Sequence, residues 1–174
     1  GYELSKPKVK YPVLYLVHGG GDTDTSWPQA GAAGEILDNL MAEGKMEPMI
    51  VVMPNGTYPG NEVPIFAEDM ARDIIPFIES NYKVYADASH RAMAGLSMGG
   101  METRMATLAR PEVFGYWGIL SGGIYEPKDL ANIAAPKHIF LSCGSKETPD
   151  RINKAVDELK AAGFSVTGYV SEGT

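Results

Sequence analysis

Ser97 stands between two glycines in the run Arg91-Ala92-Met93-Ala94-Gly95-Leu96-Ser97-Met98-Gly99-Gly100. A short apolar stretch leads into it and a helical pattern follows. Glycine two residues to either side of a serine, at a strand-to-helix junction, is the G-x-S-x-G spacing of a nucleophile elbow. The chain must turn sharply there so that the hydroxyl stands clear of the backbone. Side chains at Gly95 and Gly99 would then collide with the neighbouring strand and helix. The same turn aims the amide of Met98 at the place where a carbonyl oxygen would become negative. The chemistry this permits is acyl transfer through a serine. In a chain with 20 glycines the pattern alone is weak; the strand before it and the helix after it give it meaning.

A serine hydroxyl is a poor nucleophile unaided, so it needs an oxyanion hole, an orienting acid and a base. Gly19-Gly20-Gly21 follows the first apolar run, where glycines let backbone approach a substrate and present an amide. Gly20 or Gly21 would pair with Met98 as the two donors, and the spacing does not choose between them. Glu147, after a later strand in Cys143-Gly144-Ser145-Lys146-Glu147, has the chain position of the acid, with Asp150 as second candidate at a helix start. The three histidines, His18, His90 and His138, all precede Glu147 and read as structural. The order nucleophile, acid, histidine calls for a base in the loop after the strand Val166–Val170, just past Thr174.

The elements that must position these residues are legible from periodicity. Apolar runs at Tyr11–Val17, Met49–Met53, Ala92–Ala94, Tyr116–Leu120, Ile139–Cys143 and Val166–Val170 read as strands. Between them lie helical patterns. One is carried by Ile36, Leu37, Leu40 and Met41, and a second by Phe66, Met70, Ile74, Phe77 and Ile78. Pro76 should kink or restart that second helix. A third pattern runs through Met98, Met101, Met105 and Leu108. The last is carried by Ile152, Val156 and Leu159, with Thr148 as cap and Pro149 in the first turn. Alternation of this kind implies an α/β fold, a mostly parallel sheet with helices on both faces, whose sites collect at the carboxyl ends of strands.

Length and composition set bounds. At 174 residues the chain reads as one domain, residues 1–174. Its net charge of -7 argues against nucleic acid, which asks for a basic footprint. No apolar run reaches the length of a membrane span and no signal peptide is visible. The single Cys143 excludes an internal disulfide, and cysteines and histidines are too scattered for a zinc site. The proposed chemistry needs no metal or organic cofactor. Gly1 at one end and a strand stopping just before Thr174 at the other read as a fragment, truncated at both ends.

The chain resembles an esterase family of the α/β-hydrolases, in its feruloyl and acetyl-xylan esterase branch, carbohydrate esterase family one. The resemblance is carried by Tyr11 to Gly21, Ile36 to Leu40, Met49 to Gly56, Ile74 to Glu79 and, most specifically, His90 to Gly100. It implies an α/β-hydrolase fold, Ser97 as nucleophile, and Met98 with Gly20 or Gly21 as oxyanion amides. Glu147 stands where relatives usually carry aspartate, and relatives place a histidine almost directly after the final glycine.

The expected function is therefore a serine carboxylesterase acting on feruloyl or acetyl esters of plant cell-wall carbohydrate, with a small-molecule or polysaccharide ester as its partner. Secretion or a periplasmic location is what the resemblance implies. Trp27, Tyr58 and Tyr125 are candidates for an aromatic wall at the mouth of the site; partly buried surface aromatics would look the same in sequence. Rival readings are a siderophore-ester or S-formylglutathione-type hydrolase, an acyltransferase, and a non-catalytic carbohydrate-binding relative that lacks the base.

Overall fold

The computed structural model describes residues 9–57 and 63–174. In chain order the elements are β1 (Val13–Val17), α1 (Ser26–Gln29), α2 (Ala33–Ala42), β2 (Ile50–Val52), α3 (Val63–Asp69), a π-helical turn at Met70–Ile74, α4 (Ile75–Asn81), a 3-10 turn at Ala88–His90, β3 (Arg91–Leu96), α5 (Met98–Ala109), β4 (Tyr116–Leu120), α6 (Pro127–Leu130), β5 (His138–Gly144), α7 (Pro149–Ala161) and β6 (Val166–Ser171).

All six strands run parallel, in the order β2-β1-β3-β4-β5-β6. The chain begins mid-sheet at β1, steps outward to β2, then crosses back to lay β3 on the other side of β1. Val17 pairs with Gly95, so β1 and β3 end side by side. The loops leaving those two ends diverge and open a crevice at the switch of winding direction.

β1 and β3 alternate strictly between buried and half-buried residues, so one face of the sheet is fully covered. Tyr15, Met93, Trp117, Ile119, Ile139 and Leu141 lie on it, shielded from solvent. α5 packs on this face: an added Cβ on Gly100 would lie 3.1 Å from the Ile119 side chain. α7 shares the face, with Val156 over Gly168. On the opposite face Leu14, Leu16, Ala92 and Ala94 stay half-buried among the described residues. There Trp27 of α1 and Leu96 line a common cavity.

Three helical faces differ from their sequence patterns, each for a local reason. The π-helical turn ahead of Pro76 inserts an extra residue into the register, so Ile75 and Ile78 are buried while Phe77 is 61% exposed. In α5 the buried side is Gly99, Gly100, Glu102, Thr103, Ala106 and Thr107, while Met101 and Met105 face outward. Only small residues fit where the helix leaves the elbow. Thr103 and Thr107 satisfy themselves by donating to the carbonyls of Gly99 and Thr103, each at 2.7 Å. In α2 only Ala33 is buried and Ile36 is exposed. α7 buries Ile152, Val156 and Leu159 as its pattern implies, although Thr148 makes no side-chain cap bond.

Candidate active site

Ser97 joins β3 to α5 with φ +53° and ψ -111°, a backbone conformation that side chains rarely adopt. Its amide donates to the carbonyl of Leu120 at 2.8 Å, its carbonyl accepts from Met101, and its side chain is exposed. The flanking glycines are sterically required. A Cβ at Gly95 would lie 2.1 Å from the Gly99 carbonyl oxygen, and one at Gly99 would lie 2.5 Å from that of His18. Gly100 and Gly122 press together just as closely: a Cβ on Gly122 would come within 2.6 Å of the Gly100 Cα. The helix can start beneath the serine only because none of these residues has a side chain.

The loop after β1 meets this elbow across the crevice. Gly19 lies beside the Ser97 Cβ and Gly20 beside Met98, where an added Cβ would find the Met98 Cβ at 3.7 Å. Gly21 turns away with φ +84° and has nothing around its Cβ position. His18 braces the loop from inside. Its Nδ1 donates to the carbonyl of Gly19 at 2.8 Å, which leaves Nε2 to accept the Gly56 amide at 3.3 Å, with the Asn55 Oδ1 3.2 Å away. Beneath this arrangement lies Glu102, 2% exposed, with Oε2 unpartnered. Burial pushes its carboxyl up to about 7, against a smaller opposing pull from His18.

Glu147 lies in the loop after β5, exposed. Its Oε1 accepts from the Ser121 hydroxyl at 2.9 Å and the Gly144 amide at 3.2 Å. Ser121 follows β4 directly and has positive φ, +50°, as do the non-glycine residues Ala32 and Ser97 among the described residues. A continuous line therefore runs along the carboxyl edge of the sheet, from Ser97 through Leu120 and Ser121 to Glu147. Ser121 is the residue that sequence reasoning missed as a functional contact. Its place in Ser121-Gly122-Gly123 at a strand end was the available signal. Asp150 sits exposed in the first turn of α7, where a negative charge suits the helix end.

None of the three histidines approaches Ser97 as a base in the described structure. His18 is buried and engaged as above. His90 pairs with Asp87 at 2.9 Å and stacks on Tyr85, at the amino end of β3. Six residues of extended strand, roughly 20 Å, separate that end from the serine. His138 meets Ser165 at 2.8 Å at the amino end of β5. After β6, Thr174 folds onto the acid loop: its carbonyl accepts the Lys146 amide at 2.7 Å, and Gly173 donates to the Ser145 hydroxyl at 3.0 Å.

Of the aromatic candidates, Trp27 lines a cavity of about 200 Å³ with His18, Gly19, Asp22 and Leu96, the residue before Ser97. Tyr125 is a correction. It is fully buried, exchanges a 2.7 Å hydrogen bond with Thr107 and packs on Trp117, so it offers no surface to a substrate. Its ring completes the core beneath α5. Tyr58 lies outside the described residues.

A strained serine between two sterically obligatory glycines, facing a glycine loop at the switch point of a parallel sheet, defines an α/β-hydrolase site. Residues 1–163 match the family model described as "Putative esterase", and the chain belongs to that family. It is 53% identical over 182 residues to an endo-1,4-beta-xylanase/feruloyl esterase of Xylanibacter ruminicola, covering 100% of this chain and 25% of that one. It is 32% identical over 200 residues to endo-1,4-beta-xylanase Y of Acetivibrio thermocellus, covering 99% of this chain and 18% of the relative. The chain thus spans a quarter or less of the length of these relatives. Among solved structures it matches the feruloyl esterase module from Clostridium thermocellum complexed with sinapinate. The TM-score is 0.82 at 25% identity, over 100% of this chain and 73% of that module. No helix among the described residues is long and apolar enough to cross a membrane.

Proposed function

We propose that the protein is a serine carboxylesterase that releases feruloyl or related acyl groups from plant cell-wall carbohydrate. The observation that carries this reading is the Ser97 elbow, set directly against the Gly19–Gly20 loop. Ser97 Oγ attacks the ester carbonyl carbon while its proton passes to a base. The oxyanion so formed accepts hydrogen bonds from the amides of Met98 and Gly20. Gly20 is favoured over Gly21 because it lies against Met98, whereas Gly21 turns away. Collapse of the intermediate expels the sugar alkoxide, which takes the proton from the base and leaves an acyl-enzyme. Water, deprotonated by the same base, then frees the acid and restores Ser97.

Glu147 orients the base, held by Ser121 and the Gly144 amide. The base acts from the side of the loop that carries Glu147, onto which Thr174 is also hydrogen-bonded. Trp27 forms one apolar wall for the acyl group. The names of its relatives, xylanase and feruloyl esterase, support the choice of substrate class. A polymeric cell-wall substrate would put the enzyme outside the cytoplasm.

The test is hydrolysis of methyl ferulate and of an aryl acetate by the full-length gene product, with Ser97→Ala as control. Turnover of the ferulate that disappears in the variant is expected. Turnover retained without Ser97, or saturable sugar binding with no hydrolysis at all, would overturn the reading.

A further inference from the structure

One buried side chain on the helix that carries a proposed oxyanion amide has no direct use in the reaction. We propose that Glu102 is a positioning residue for the oxyanion hole, its buried carboxyl seated between α5, Gly56 and His18 so as to fix the Gly19–Gly20 loop against the amino end of α5. This inference rests on the esterase reading above.

Three observations converge on it. Glu102 is on the first turns of α5, the helix whose leading residue Met98 supplies one oxyanion amide, and it points into the protein with only 2% of its surface exposed. Its two carboxyl oxygens crowd Gly56: a Cβ there would lie 2.6 Å from Oε2 and 3.1 Å from Oε1. Gly56 in turn donates to His18 Nε2, and His18 Nδ1 donates to the carbonyl of Gly19, the residue before the second oxyanion amide. A chain of contacts therefore runs from the helix that carries one donor to the loop that carries the other, with Glu102 at its centre.

An acidic side chain is an expensive choice for this place. A neutral residue of the same size would fill the volume without the cost of burying a carboxyl whose Oε2 has no partner. Among the described residues the titratable group facing it is His18, from the end of β1; Asn55 and Gly56, from the loop after β2, bring no charge. Because burial raises its proton affinity, the carboxyl holds a proton below about pH 7. It then offers both a donor and an acceptor to its neighbours. Glutamine keeps both capacities, alanine neither.

The experiment measures kcat and KM for methyl ferulate, and the inhibition constant of phenylboronic acid, on the full-length gene product and its variants. The boronate adduct on Ser97 is tetrahedral and fills the oxyanion hole, so its affinity reports the hole directly. Glu102→Ala should lower kcat about 30-fold, short of the loss of a whole donor, with KM within about threefold. Boronate affinity should fall by the same factor, and Glu102→Gln should restore most of both. Gly56→Ala keeps Glu102 but displaces its carboxyl, and should lower kcat and boronate affinity together while the melting temperature stays within a few degrees. It carries the test should Glu102→Ala fail to fold. Unchanged kcat in folded Glu102→Ala or Gly56→Ala, or a glutamine variant no better than alanine, would overturn the proposal. Ser97→Ala is run alongside. If it retains turnover, the esterase mechanism fails; if it is dead while the Glu102 and Gly56 variants match wild type, this inference alone fails.

Discussion

A Cβ added to Gly99 would lie 2.5 Å from the carbonyl oxygen of His18. The helix that begins at the nucleophile is therefore seated directly on the end of the strand that leads into the glycine loop. The start of α5 and the end of β1 are thus held together by backbone packed on backbone, which has little room to relax.

Gly99→Ala should accordingly cost stability and activity together. Overpacking in a well-packed interior costs on the order of 1–3 kcal/mol, and here the colliding atoms are main chain. A melting temperature lowered by several degrees, with kcat down at least tenfold, is expected from thermal denaturation and steady-state kinetics. Gly34→Ala is the matched control, because nothing lies within 4 Å of its Cβ position; it should leave both quantities near wild type.

Ser97→Ala should abolish ester turnover, on the order of a thousandfold or more in kcat, and remove labelling by a fluorophosphonate probe. Because Ser97 is exposed and caps nothing, the fold should survive. The same variant keeps the Cβ and with it the strained φ, so a melting temperature near wild type is expected.

Glu147→Ala should lower kcat at least a hundredfold with KM little changed, as befits a group that orients the base. Ser121→Ala removes one of the two hydrogen bonds that hold Glu147, and its effect should be smaller, about three- to tenfold. Kinetics on the pair of variants and the double variant would show the two effects to be less than additive.

Trp27→Ala should discriminate between acyl groups. If the indole lines the acyl cavity, KM for methyl ferulate should rise about tenfold while that for an aryl acetate rises less, since the smaller acyl group makes fewer apolar contacts. Equal effects on both esters would make Trp27 a structural residue of the loop.

Stability should fall as pH rises towards and through neutrality on account of Glu102. Its folded proton affinity lies above that of an ordinary glutamate, at about 7, so the folded state holds a proton that the unfolded state releases at lower pH. The contribution is fully present below the ordinary glutamate value of about 4.5 and is lost as pH climbs through about 7. It amounts to roughly 3 kcal/mol. Denaturant melts between pH 5 and pH 8 should show this slope in wild type, and Glu102→Gln should flatten it.

Much of the architecture was legible before any coordinates. Apolar runs bounded by glycine or proline marked every strand to within two residues, because a buried parallel strand must be continuously apolar and its ends must turn. The Ser97 elbow and the Gly19–Gly21 loop were legible for a related reason: their backbones tolerate no side chain, and glycine spacing records that directly. Glu147 was read as a candidate from its place after a strand and downstream of Ser97.

What periodicity could not decide was which way helices face when sterics override hydrophobicity. Met101 and Met105 mark an apolar stripe on α5, yet the elbow admits only small residues beneath it, so the stripe faces solvent. Phe77 was turned outward by a π-helical turn that no spacing rule anticipates. Tyr125 has the composition of a binding-site aromatic, and only the packing of α5 over Trp117 and Thr107 makes it core.

The amino-acid sequence by itself determined the parallel sheet and the glycine frame around Ser97, because these depend on local backbone geometry and on patterns of adjacent residues. The tertiary structure decided the contacts among residues far apart in the chain: Ser121 with Glu147, Gly20 with Met98, and Glu102 with Gly56. Those arise where separate loops converge at one edge of the sheet. No local pattern encodes that convergence, since it follows from the strand order as a whole.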